Sequence, residues 1–323
     1  MSKQSKQLLT LAGVVVVCVA LYLGLSFYNQ STADTDETVY LTQLEDVTAL
    51  SFYNGTETLA FSKVDGTWQW DGDSAFPADQ SALTSLADTA GQLAAVRTFE
   101  TPESADSYGL DAPAYEITLT TAGGDSKTVL IGNSVDSSYT YAQVEGEVTV
   151  YTISSTLADD LNVELMDLAQ VESFPDLSED NMETIDIQNG STSLTFTKET
   201  ATGTDEESGE TTSTYTWSLN GTELDSENET LSGMISDLSY LYFSSCYDYQ
   251  SDEAQRADCG LDSPVTITVT CNDGTAMKLE IGDATPEGDS YYAVLNGSDA
   301  IHRISTTALG DLLTLNENSF SEE

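Results

Sequence analysis

The sequence predicts an α+β protein: an N-terminal transmembrane helix followed by two tandem repeats, each a mostly antiparallel sheet with helices packed on one face. Three observations carry this. A long run without charge, Leu8–Tyr28, lies near the N-terminus. A stretch near residues 47–168 returns near residues 182–315. Within each copy, short alternating runs broken by Asn-Gly, and in the first copy also by Gly-Gly, surround one stretch with helical spacing of apolar residues.

The anchor comes first. At about 1.5 Å per residue, Leu8–Tyr28 spans roughly 30 Å, the thickness of a hydrocarbon core. Lys3 and Lys6 precede it, and no further Lys or Arg appears until Lys63, while acids begin at Asp34. The excess of cations on one side places the N-terminus in the cytoplasm. The expectation is a single-pass protein of the cell membrane with the bulk of the chain extracellular. A cleaved signal peptide ending near Ser31-Thr32-Ala33 is the rival, but its apolar core would be shorter, about 7–15 residues. Cys18 lies inside the run and reads as a membrane-buried thiol.

The repeat divides the rest. Trp68-Gln69-Trp70-Asp71-Gly72 returns as Trp217-Ser218-Leu219-Asn220-Gly221, and Gly109-Leu110-Asp111-Ala112-Pro113 as Gly260-Leu261-Asp262-Ser263-Pro264. Ile131-Gly132 returns as Ile281-Gly282, and Tyr141-Ala142 as Tyr292-Ala293. The register slips mainly within residues 199–212, an acidic Gly- and Thr-rich insertion that reads as a long, mobile hairpin loop. A period this long means two domains rather than a solenoid. The expected division is a cytoplasmic tip and anchor at 1–30, a linker at 31–45, the first repeat at 46–170, a linker at 171–180, the second repeat at 181–316 and a tail at 317–323.

Each copy reads β-β-β-α-β-β-β-β-α. Val47–Tyr53 and Thr56–Lys63 flank Asn54-Gly55, a type I′ hairpin signal, and a third strand falls near Thr67–Trp70. Leu83, Leu86, Ala90, Leu93 and Ala94 form a helical stripe after Asp79. Leu231, Met234, Ile235, Leu238 and Leu241 repeat it, with Ser226 and Glu229 spaced as a capping box. Strands near Glu116–Thr121, Lys127–Ile131, Tyr139–Val144 and Val148–Ile153 follow, and a closing helix from Ser154 carries Leu157, Leu161 and Leu165. Gly-Leu-Asp-x-Pro reads as a helix stop: glycine takes the left-handed cap, leucine supplies its apolar contact and proline blocks continuation.

Charge and composition then limit function. Nine basic and 55 acidic side chains give a net charge of −46. Nucleic acid and anionic headgroups repel such a body, so neither is an expected partner. The Asp-x-[Asp/Asn]-x-[Asp/Asn]-Gly calcium pattern is absent from the sequence, and no metal or cofactor site is expected. There is no Gly-x-Ser-x-Gly, His-Glu-x-x-His or phosphate loop. The one histidine, His302, aligns with Tyr151 in a strand and reads as structural. No catalytic residue is assigned. Three cysteines follow the anchor; Cys271 continues a core alternation, and Cys246 and Cys259 are the candidate disulfide, with free thiols as the alternative. The counterpart of Cys246 falls near Ala95. Tyr240, Tyr242, Phe243, Tyr247 and Tyr249 form the candidate binding surface, since aromatic faces suit glycans or partner proteins; alternating core and surface strand positions are the plainer reading.

Taken together, Trp68 and Trp217, Tyr108-Gly109-Leu110-Asp111-x-Pro113, Ile131-Gly132 and Tyr141-Ala142 before Val150-Tyr151 resemble the family catalogued as domain of unknown function 4340. The second copy departs in carrying Cys259 for the tyrosine. The resemblance implies an extracytoplasmic accessory protein beside ABC-transporter permease and ATPase components of the gliding-motility type, and it brings no catalytic residues. The expected function is a membrane-anchored, non-enzymatic interaction subunit. A cell-surface binding module for glycan or peptide is the alternative, and an unrecognised hydrolase using acidic pairs is more remote.

Overall fold

A computed structural model describes residues 38–204 and 211–321. The expected anchor Leu8–Tyr28 lies outside the described residues. Among the described residues, no helix is long and apolar enough to cross a membrane.

The first copy contains β1 (Val47–Tyr53), β2 (Thr58–Val64), β3 (Thr67–Trp70), helix α1 (Gln80–Gly91), β4 (Arg97–Phe99), β5 (Tyr115–Thr121), β6 (Ser126–Ser134), β7 (Tyr139–Val144), β8 (Val150–Ser154) and helix α2 (Thr156–Leu161). The second contains β9 (Met182–Asn189), β10 (Thr192–Thr204), β11 (Thr211–Leu219), β12 (Thr222–Glu223), α3 (Glu229–Ser239), β13 (Ser245–Asp248), α4 (Glu253–Asp258), β14 (Val265–Cys271), β15 (Ala276–Ala284), β16 (Ser290–Leu295), β17 (Ile301–Ser305) and α5 (Thr306–Leu309). The first sheet runs β3-β2-β1-β5-β6-β7-β8-β4 and the second β12-β11-β10-β9-β14-β15-β16-β17-β13. Every strand pairing is antiparallel. The insertion in the second copy extends the β10–β11 hairpin as far as the pair Thr204↔Thr211.

Alternation builds the cores. Leu50 and Phe52 of β1, Ile117 and Leu119 of β5, and Leu83, Leu86 and Ala90 of α1 join one buried cluster. Ile185 and Ile187, Ile267 and Val269, and Leu231, Met234 and Leu238 form its counterpart. Helices α1 and α3 lie on the face where these strand side chains are buried, because only there does the apolar stripe leave water.

Several local expectations need correction. The two-residue turn with positive φ at both positions falls at Asp65-Gly66 (φ 53° and 83°) rather than at Asn54-Gly55. There, Asn54 Oδ1 instead accepts from the amides of Thr56 and Glu57 in a longer loop. Helix α3 is capped by Asn228, whose Oδ1 accepts from the Leu231 amide, so the box at Ser226 is not used. Leu93, Ala94 and Leu241 lie beyond the helix ends. The expected pattern lacks β4 in the first copy and β12 and β13 in the second; β4 and β13 add edges antiparallel to β8 and β17, and β12 pairs with β11. The first unit reaches back into the expected linker through the Tyr40↔Ala94 bridge and buried Leu41. The expected tail folds as the 3₁₀ turn Glu317–Phe320, with Phe320 in the second core.

Helices on one face is also incomplete. After α4 the chain crosses the opposite face, where Cys259 and Leu261 pack with Val294 and Ile301. The two glycine motifs are one device that permits this. Gly109 and Gly260 take positive φ (71° and 73°), and Leu110 and Leu261 return amides to Ala105 and Arg256, the closing bond of a Schellman cap. That cap rests on the strand glycine: a Cβ on Gly132 would lie 2.2 Å from the Tyr108 carbonyl oxygen, and one on Gly282 2.1 Å from that of Cys259.

Candidate functional site

The junction between the copies gathers four of the side chains singled out above: Phe243, Cys246, Tyr249 and His302. It forms because β13 of the second repeat lies against the 3₁₀ turn Leu165–Leu168 that closes the first. Cys246 of β13 belongs to the core cluster of the first repeat, and Tyr249 packs against that cluster.

The aromatic strip therefore divides. Tyr240, the C-cap of α3, is 77% exposed and Tyr242 is 54% exposed. Phe243 is 5% exposed; its ring lies 4.6 Å from Phe174 of the inter-repeat segment and stacks on His302 at 4.4 Å. Tyr247 leans on Tyr292 and lies beneath the Arg303 guanidinium. Tyr249 meets Phe76 edge-on at 5.3 Å, and its hydroxyl donates to Asp73 Oδ2 at 2.8 Å. A register shift between Cys246 and Asp248 interrupts the alternation that one face would require. Two of the five rings point into the junction, so the strip is not a single binding surface.

His302 holds the position expected of it. Tyr151 faces Ala142 in the first sheet as His302 faces Ala293 in the second. His302 is 1% exposed, and its Nε2 lies 3.4 Å from Glu172 Oε2. Burial pushes the imidazole below its ordinary value, with the Glu172 carboxylate acting in the opposite direction.

The cysteine pairing is corrected. Cys246 and Cys259 are both free and buried, one in the first repeat's core and the other on the outer face of the second sheet. Burial raises the Cys246 thiol to about 11. Its register partner is His302, so its counterpart is Thr98 opposite Tyr151, rather than a residue near Ala95.

A second tie escaped sequence reading. Lys198 is buried, donates to the carbonyl oxygens of Glu179 and Asp180, and lies 4.4 Å from the Tyr215 ring centre. The lysine–aromatic contact recurs as Lys63 over Trp68 at 4.5 Å. Desolvation lowers the Lys198 pKa, with nearby acids opposing it. The only sequence signal was the aligned pair of lysines. Among the described residues, no group of three or more His, Cys, Asp and Glu is arranged to hold a metal.

No curated protein and no solved structure matches the chain. A family profile matches twice, over residues 68–224 and 217–323. Each match begins at the repeated tryptophan, so the profile's limits cut both sheets after their first two strands. By these two matches, the chain belongs to the family described as Domain of unknown function (DUF4340), in two tandem copies.

Proposed function

We propose that this protein is a membrane-anchored extracytoplasmic accessory subunit of an ABC-transporter-type complex, acting through protein contacts and not by catalysis. The observation that carries the reading is the uncharged run Leu8–Tyr28, ahead of a strongly acidic body of two repeats. The family resemblance supplies the kind of complex. Buried His302 and the buried thiols leave the named polar groups in packing roles, which suits a contact protein. Affinity purification of the crosslinked full-length protein from its native membrane, followed by mass spectrometry, tests this. Permease and ATPase chains are expected; recovery of the anchored protein alone refutes it.

A cell-surface binding module is the second reading. It is favoured by exposed Tyr240 and Tyr242 and by the Tyr247–Tyr292–Arg303 group. Glycan and peptide arrays probed with the folded protein test it, and a blank array removes it.

A further inference from the structure

The two copies offer the same frame at one place, and only one is covered by described residues. In the first repeat, the Asp71 amide donates to Ala60, and the Asp79 amide donates to the Leu168 carbonyl of the closing 3₁₀ turn. In the second, the Asn220 amide donates to Thr195, and Asn228 Nδ2 donates to the Phe320 carbonyl of the corresponding turn. A phenylalanine sits in each frame against a core phenylalanine: Phe76 lies 6.4 Å from Phe61, and Phe320 lies 5.0 Å from Phe196. In the first repeat, Tyr249 from the following copy docks on Phe76 and donates to Asp73. In the second, a pocket of about 370 Å³ opens beside Phe320, lined among others by Leu219, Asn220, Asp225, Asn228 and Glu317.

We infer that this pocket docks an extended segment of a partner protein that presents a tyrosine beside a basic residue. The tyrosine follows from the occupant of the equivalent frame, where one ring meets an aromatic wall and one hydroxyl meets a side-chain oxygen. The exposed Asp225 carboxylate stands at the rim, where it can accept from that hydroxyl. The basic neighbour follows from charge: Glu223, Asp225 and Glu317 are exposed around the pocket, and no Lys or Arg lines it. Acidic rims steer a cationic segment, while the buried aromatic anchor holds it. The main chain beside the anchor would run as β13 does against the first repeat. None of this depends on the transporter reading; failure to recover permease chains leaves it untouched.

The test uses purified full-length protein and the peptide Lys-benzoylphenylalanine-Lys as a photolabel. Mass spectrometry is expected to find the crosslink within residues 219–225 or 317–321. Excess Lys-Tyr-Lys should reduce labelling at least tenfold, and Lys-Ala-Lys should not. Thr222→Trp, at an exposed position, should block the pocket, and Glu223→Lys with Asp225→Lys should repel the peptide. Each is expected to lower labelling at least tenfold without moving the thermal midpoint. Labelling spread over the acidic surface, confined to Tyr240 and Tyr242, or competed equally by both peptides overturns the inference.

Discussion

Gly132→Ala and Gly282→Ala offer a direct measure of how the repeated Ile-Gly motif works. The added Cβ would stand 2.2 Å from the Tyr108 carbonyl oxygen in one case and 2.1 Å from that of Cys259 in the other. Van der Waals contact requires about 1 Å more, and the neighbours are backbone, so either the Schellman turn or the strand must move. Overpacking of this kind costs about 1–3 kcal/mol. In the second copy, the shift also strains the bond from the Asp283 amide to Cys259, at 2.8 Å, worth about 1 kcal/mol. The expected loss is about 3 kcal/mol, roughly a hundredfold in the folded-to-unfolded ratio. Urea unfolding followed by tryptophan fluorescence reads each copy, because Trp68 and Trp70 report the first and Trp217 the second. Gly132→Ala should shift the first signal and Gly282→Ala the second. Gly233 is the control: it is exposed, helical and open around its Cβ position, so Gly233→Ala should stabilise by about 0.5–1 kcal/mol. A change below about 0.5 kcal/mol for both Gly132→Ala and Gly282→Ala would refute the close-approach account.

Other expectations concern the junction. Phe243→Ala should cost about 3–5 kcal/mol in urea unfolding, because it empties a ring-sized space between Phe174 and His302, whereas exposed Tyr240→Ala should stay within about 0.5 kcal/mol. His302 should make stability pH-dependent. Its folded pKa lies below the ordinary 6.5, so the unfolded chain binds the proton more readily, and stability present above pH 6.5 is lost as pH falls below it. The thermal-midpoint difference between wild type and His302→Phe isolates this from the general titration of acids; no change in that difference between pH 7.5 and pH 5 would count against it. Cys246, Cys259 and Cys271 are buried, and desolvation raises all three thiols, so Ellman's reagent at pH 8 should leave them unmodified in the folded protein and label them in urea.

The sequence by itself determined the duplication, the helix stripes and the glycine caps. These are local: a 3.6-residue or two-residue period, or a residue able to take positive φ, is written in neighbouring positions. Gly109 and Gly260 cap as expected because a Schellman turn needs only a few successive residues. Sequence also matched His302 to Tyr151, since both copies keep the same strand register. What it misplaced lies where distant segments meet. β4 and β13 are too short to show a period, and their pairing is set by β8 and β17. Only tertiary structure decided that Phe243 and Tyr249 turn into the junction while Tyr240 and Tyr242 face water. Asp73 and Phe76, which receive Tyr249, lie in the other copy, so no local pattern records the contact. The same holds for Gly132 and Gly282: the sequence displays them as a motif, but the chain that passes over them, and excludes any Cβ, is brought there by the fold.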